Sequence, residues 1–362
     1  MKLTDISNDI NDWFSGSGPL ADIVVSSRIR LARNLAGHKF LHSCSIEEKS
    51  KILEQLKAVL MSLDLGDEVF YFSVDQAPAL SRSFLVERHL ISRHHAMAKG
   101  PRGVVIARRE CFTAMINEED HLRLQELMPG DQLSACVEQI DRIDNDVEKH
   151  VDYAFNPRFG YLTACPTNLG TGIRVSAMLH LPGLVLAEQI NPIIQSVSKL
   201  GLTVRGLYGE GTEASGNIFQ VSNQMTLGES EAAIIQRLEK VLNQLIEHEE
   251  NARASLLERK PKLVYNHVGC AYGILANAHS ISSKETMNLL SLMRLGSDAG
   301  LFPELDRALV DELFILTQPA HLQKQHSEKL STEERDLLRA AMPVYYTPPK
   351  LPPTHSLVIQ GV

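Results

Sequence analysis

The chain has 362 residues, 44% apolar and 22% charged, which suits a globular protein of two domains or one large one. Its net charge of -8 argues against a general attraction to nucleic acid or to an anionic membrane. No apolar run nears the ~20 residues of a bilayer span, and the acidic start MKLTDISNDINDWF lacks a signal-peptide pattern.

In chain order, residues 46–62 have apolar positions at helical spacing after a serine start. GVVIARR (103–109) and CFTAMIN (111–117) alternate like half-buried strands. Residues 120–151 read as helical, with a break at Pro129-Gly130. AFNPRFGYLTAC, RVSAMLHLP, LTVRGLYGE and NIFQVSNQ read as strands, and residues 229–258 as one long helix. Beyond 260 the texture is helical. Ser282 with Glu285 and Ser331 with Glu334 form capping boxes, Gly296 is an expected stop, and Pro343 an expected end. The tail VYYTPPKLPPTHSLVIQGV reads as extended. These elements predict an α+β body over 1–255 and a helical domain over 256–362.

The five cysteines (Cys44, Cys111, Cys136, Cys165, Cys270) are scattered, with no CxxC or Cys/His ligand spacing. Neither a disulfide framework nor a zinc site is indicated, and a cytoplasmic location is expected. Four motifs carry candidate chemistry. In SSRIRLAR, Arg28 and Arg30 lie two apart and share one face of a strand, which suits phosphate oxygens or a solvated edge. NEEDHLR (117–123) concentrates carboxylates that would receive a cation, a guanidinium or a metal, or sit at a helix start; Arg123 lies four after Glu119, the spacing of a helical ion pair. CPTNLGTGIR has Cys165 at one end, Gly170 and Gly172 free to let backbone approach a ligand, and Arg174 at the other end. RGLYGEGTEASG is a glycine-rich loop with Glu210 and Glu213, starting at Arg205. Each has a bland reading: a buried thiol, a surface hairpin, a solvated strand. Their shared placement at strand ends is the stronger signal.

VVSSRIRLARNL, INEEDHLR, CPTNLGTGIR and RGLYGE, in this order, resemble the catalytic domain of the phosphagen (guanidino) kinases over about residues 20–255. The resemblance implies an antiparallel sheet flanked by helices, of the glutamine-synthetase-like type. It assigns ATP to Arg28, Arg30, Arg123, Arg174 and Arg205. Ser26, Ser27, Ile29, His89, Val175, Ser176, Ala177, Met178, Gly206, Leu207, Tyr208 and Gly209 would join the same site. Glu119 and Glu210 would hold the acceptor guanidinium, with Cys165 beside it. No protein side chain is expected to bind metal; Mg²⁺ would be carried by ATP.

Metabolite kinases of this family have a helical domain before the SSR motif, whereas about two dozen residues precede it here and a helical domain follows. Leu207 and Tyr208 also replace more polar residues usual in metabolite kinases. This arrangement resembles the bacterial protein-arginine kinases, which phosphorylate arginine side chains in proteins. That resemblance implies a phosphoarginine-binding allosteric site at RDLLRA: Arg335, Asp336, Arg339 and Ala340. It further implies a homodimer, a zinc-binding activator, a heat-shock repressor as substrate, and a Clp chaperone-protease that degrades marked proteins. A free-arginine kinase and a silent phosphoarginine-binding module are the competing expectations.

Overall fold

The computed structural model describes residues 12–14, 16–207, 214–302 and 305–346. Residues 347–362 of the expected extended tail and the positions of Tyr208, Gly209, Glu210 and Glu213 lie outside them, while residues 344–346 of that tail are helical rather than extended. The strands are β1 Val24–Arg33, β2 Val69–Ser73, β3 Gly103–Ala107, β4 Phe112–Ile116, β5 Leu122–Pro129, β6 Phe155–Asn156, β7 Gly160–Tyr161, β8 Ile173–His180, β9 Leu202–Gly206 and β10 Ile218–Asn223. Helices of the first part are α1 Ile46–Ser62, α2 Ala79–Glu87, α3 Arg93–Met97, α4 Leu133–Glu148, α5 Pro182–Leu186, α6 Ile190–Lys199 and α7 Glu231–Arg259. After α7 come α8 Pro261–Asn277, α9 Ser283–Asp298, α10 Arg307–Leu316, α11 Pro319–Lys324 and α12 Thr332–Tyr346. The division at 255 falls inside α7. Among the described residues no helix is long and apolar enough to cross a membrane.

Eight strands form one antiparallel sheet in the order β2-β3-β4-β5-β1-β8-β10-β9. Strand alternation divides it into two chemically opposite faces. Ile29, Leu31, Leu122, Leu124, Val175, Ala177 and Val221 point to a core shared with Ile52 and Leu56 of α1, Ile140 and Ile143 of α4, and Leu238 and Val241 of α7. The alternate positions carry arginine, glutamine and serine. Helix α1 starts where the serine signal places it: Ser45 Oγ accepts from Glu48 N, and Glu48 Oε2 accepts from Ser45 N.

Four expectations are corrected. The first half of 120–151 is strand β5, paired on both sides by β1 and β4. Its polar positions, Arg123 and Gln125, serve the polar face of the sheet rather than a helix exterior. Gly296 does not stop its helix, since α9 runs on to Asp298 and Gly300 takes the positive φ of +70°. Gly296 is small for packing: a Cβ there would lie 2.6 Å from Val268 of α8. Pro343 does not end α12, which continues to Tyr346; the proline falls in the last turn and removes only one ladder bond there. Of AFNPRFGYLTAC, the extended pairing is the short β6–β7 hairpin and a bridge from Tyr161 to Gly170.

Buried charge joins the C-terminal helices to the sheet. Arg294 of α9 donates to Asp311 Oδ1 of α10 at 2.7 Å, to the carbonyls of Ala21 and Asp22, and to His180 Nδ1 at the end of β8. Arg253 of α7 reaches Glu249, Asp298 and the carbonyls of Asp22 and His180. At a second joint, the Glu87 carboxylate closing α2 accepts from the Ala320 and His321 amides and meets His321 Nδ1 at 2.8 Å. Glu87 thereby satisfies the exposed amides at the start of α11.

On the apolar face, where Arg33 of β1 pairs with Asp144 of α4, Glu126 lies buried as well. It is 3% exposed, and its Oε2 has no hydrogen-bond partner. Burial, against the weaker pull of Arg142 and Arg109, pushes its carboxyl up to about 8. The folded state therefore holds a proton that the unfolded state releases, and stability falls as pH rises from the unfolded value toward 8. Glu126→Gln is expected to remove this loss. The gain at pH 7 is on the order of 3 kcal/mol, read as a urea midpoint that no longer declines between pH 5 and 8.

Candidate active site

The polar face converges on a cavity of about 310 Å³. Pairing sets Arg30 opposite Arg174, and Arg28 opposite Ser176, across β1 and β8. On the other side of β1, Arg30 faces Gln125 and Ala32 faces Arg123. Arg205 of β9 faces Gln220 of β10. All five arginines marked in the sequence line this cavity, joined by Arg93. Arg28 donates from Nη2 to Gln220 Oε1 at 2.8 Å and from Nε to Ser176 Oγ at 3.3 Å. Arg174 Nη2 donates to Ser222 Oγ at 3.1 Å. The Nε groups of Arg30 and Arg174 are buried with no acceptor among the described residues.

The charges are crowded and partly dry. Burial first, then Arg123 and Arg174, lower Arg28 to about 9. Burial first, then Arg205 and Arg123, lower Arg174 to about 10. Arg30 is driven well below its ordinary value by burial and by Arg28. Cations that repel one another around donors without acceptors form a site for a polyanion. His89 lines the same cavity at φ +58°, held by its carbonyl accepting from Gln125 Nε2 at 2.9 Å. Burial, then Arg28 and Arg93, push its imidazole down to about 3, so it is neutral at physiological pH.

Not every expected nucleotide residue faces this cavity. Ser27 Oγ donates to Gly130 O at 2.9 Å and accepts from Gln132 N, clasping β1 to the entrance of α4. Ile29, Val175 and Ala177 belong to the core on the opposite face, and Met178 packs in the apolar cluster with Trp13. These residues hold the strands in register. Ser26 is buried beneath the site with an unpartnered hydroxyl, and Gly206 ends β9 just before the cavity-lining Leu207.

The acidic loop is the turn between β4 and β5, opened by Asn117 at φ +59°. Its carboxylates are in three different states. Glu118 is buried and fully engaged: it accepts from Arg123 Nη1 at 2.9 Å, Ser92 Oγ at 2.5 Å and Glu119 N at 2.9 Å. Burial opposes its ionisation, but Arg123, His94 and Ser92 outweigh it and hold the carboxyl far below the usual range. Asp120 Oδ1 accepts from Asn34 Nδ2 and from Ala164 N, both at 2.6 Å, and so fixes the backbone leading into Cys165. Glu119 alone of the three is exposed, and burial, Glu118 and Asp120 raise its carboxyl. The expected Glu119–Arg123 pair is thus corrected. In a hairpin rather than a helix, it is Glu118 that Arg123 meets.

Glu118 and Glu119 line a second cavity of about 450 Å³ that also receives Ala164. The bonded Arg123–Glu118 pair stands between the two cavities, since Arg123 lines the first and Glu118 the second. Cys165 Sγ lies 3.0 Å from Thr167 Oγ1. Gly170 and Gly172 have φ of +114° and +68°, and both lie tightly against backbone. A Cβ would lie 2.7 Å from Thr226 O at the first and 2.6 Å from Ala32 O at the second.

Residues 51–252 match the ATP:guanido phosphotransferase C-terminal catalytic domain. Residues 261–343 match the protein-arginine kinase McsB C-terminal domain. A protein-arginine kinase of Halothermothrix orenii is 44% identical over 345 residues, 94% of this chain and 98% of the relative. The chain belongs to the protein-arginine kinase family. A second such kinase, from Halalkalibacterium halodurans, is 47% identical over 339 residues, 93% of this chain and 95% of its own. Among solved structures, a lombricine kinase superposes with a TM-score of 0.58 at 28% identity, covering 70% of this chain and 71% of that one. As a member of the protein-arginine kinase family the chain is a phosphotransferase with a guanidino acceptor, and the family uses ATP.

The RDLLRA motif lies on α12. Arg335 donates to Leu330 O at 2.9 Å and to Thr332 Oγ1 at 3.3 Å. Arg339 is buried, donating to Thr317 O at 2.8 Å and Ile281 O at 2.9 Å; Asp336 pairs with Arg339 itself, and Ala340 is buried beside them. Several contributors to the catalytic face were not singled out from sequence: Ser92, Gln125, Gln220, Ser222 and Glu118 as the engaged carboxylate. Gln220 and Ser222 carried a readable signal, two polar residues at period two within an apolar strand.

Proposed function

We propose that the chain transfers the γ-phosphoryl group of ATP to arginine side chains of proteins, with the polyphosphate in the arginine-lined cavity and the acceptor guanidinium at Glu119. The observation that carries this reading is the pair of adjoining cavities. One is lined by Arg28, Arg30, Arg123, Arg174 and Arg205, the other holds an uncommitted carboxylate, and the Arg123–Glu118 pair lies between them. Phosphoryl transfer passes through a loose transition state, so placement and charge neutralisation supply most of the catalysis. The unpartnered Nε groups of Arg30 and Arg174 fit phosphate oxygens. Mg²⁺ would be carried by those oxygens and by water, and would supply charge neutralisation. Among the described residues no group of three or more His, Cys, Asp or Glu is placed to hold a metal ion.

A guanidinium has no lone pair to spare while protonated. Glu119, with its raised carboxyl, takes the proton as a guanidino nitrogen bonds to phosphorus and ADP leaves. The family resemblance assigns Glu210 to the same fork, with Cys165 beside it. The Arg335–Ala340 segment reads phosphoarginine as an allosteric signal. A heat-shock repressor is one substrate, a zinc-binding protein the activator, a Clp chaperone-protease the recipient of marked proteins, and a homodimer in the cytoplasm the working form. The match of 261–343 to the family's own C-terminal domain supports these finer assignments.

The test supplies Mg-ATP with either an unfolded arginine-rich protein or free arginine. Phosphate is located by mass spectrometry under non-acidic handling. Phosphoarginine in the protein is the expected product. Phosphorylation of free arginine alone would make the chain a metabolite kinase, and ATP-independent binding of phosphoarginine without turnover would make it a reader.

A further inference from the structure

The cavity holding Glu119 has a charge pattern that phosphoryl transfer does not use. Lys49 from α1 and Lys99 from the turn after α3 line it, with His42 and His94 alongside. Neither lysine has a carboxylate within ion-pair distance among the described residues. Lys49 is placed by its backbone, whose carbonyl accepts from Asn117 Nδ2 at 2.9 Å in the acidic loop. His94 Nδ1 lies 3.7 Å from Glu118 Oε1. Glu118 is already neutralised by Arg123. Glu119 is therefore the one uncommitted negative charge lining this cavity among the described residues, set against two unpaired ammonium groups.

A guanidinium arriving alone meets attraction at Glu119 and repulsion at the rim. A carboxylate carried beside that guanidinium turns the repulsion into attraction. We infer that Lys49 and Lys99 form a carboxylate subsite, which selects acceptor arginines having an acidic group within a few residues. This rests on the reading of Glu119 as the acceptor site. The carboxylate has two sources: a neighbouring Asp or Glu side chain in a polypeptide, or the α-carboxylate of free arginine.

The test uses the full chain with two labelled peptides, each with one arginine, flanked on both sides by Glu in one and by Gln in the other. Both Kd, by fluorescence anisotropy, and kcat/KM, by phosphoarginine mass spectrometry, are measured. The Glu peptide is expected to lead by about tenfold in both, with the gap narrowing as salt is raised. In the Lys49→Gln/Lys99→Gln variant the gap closes. Equal values for the two peptides in the unsubstituted chain, or a gap that survives in the variant, overturn the inference. Should free arginine be the sole substrate, the protein-substrate reading fails, yet the subsite is still tested by comparing arginine with agmatine, which lacks the α-carboxylate. A preference for arginine that the double variant loses supports the subsite; equal use of the two rejects it.

Discussion

In the Glu119→Gln variant, kcat for phosphoarginine formation is expected to fall by roughly 10²–10⁴-fold, with ATP affinity retained. The three neighbouring acidic residues make this a sharp test, because just one of them is free of structural duty. Glu118 holds Arg123, Ser92 and the turn backbone, and Asp120 holds Asn34 and Ala164. Removing either would mix folding with chemistry. Glu119 is exposed and its loss leaves those bonds in place. A base acts in its ionised form, and burial, Glu118 and Asp120 hold the Glu119 carboxyl above the usual glutamate range. Activity should therefore fall with decreasing pH along a limb lying above that range, and Glu119→Gln should abolish the limb along with the rate. An unchanged kcat in this variant would sink the assignment of Glu119 as base.

The largest loss of stability is expected from Arg294→Met. This guanidinium is 1% exposed and serves Asp311, His180 and the carbonyls of Ala21 and Asp22 together. Deleting it strands a buried carboxylate and several acceptors, at a cost of roughly 3–5 kcal/mol. The urea midpoint should drop accordingly. The double variant Arg294→Met/Asp311→Leu should recover much of the loss, because the unpaired charge is gone as well. A single variant with an unshifted midpoint would show that the joint contributes nothing to holding the C-terminal helices on the sheet.

What could be read from sequence tracked local chemistry. The serine start of the helix at 46–62, the strand at Gly103–Ala107 and the shared face of Arg28 and Arg30 each follow from a few neighbouring residues, and the structure has all of them. Residues 122–129 were illegible for a physical reason. In most strands one face is apolar, but β5 has Arg123 and Gln125 on the catalytic face and Glu126 buried on the other, so its alternation is masked. The partner of Arg123 was equally hidden. Helical spacing pointed to Glu119, whereas a hairpin crosses to Glu118. The roles of Gly170, Gly172 and Gly296 depend on backbone and side chains distant in the chain, which no local pattern encodes.

The strand order has a consequence for how this protein is made. Among the described strands β1 is the first to be synthesised, yet it lies between β5 and β8, with Arg30 flanked by Gln125 and Arg174. The β2-β3-β4-β5 meander can close as it emerges, while β1 has one open edge until β8 is synthesised. A nascent chain cut short before Arg174 thus exposes half of a central strand, and its arginine cavity has only one wall. Nucleotide binding cannot assist the early steps of folding, and the unfinished edge at β1 is the place where a chaperone has most to protect.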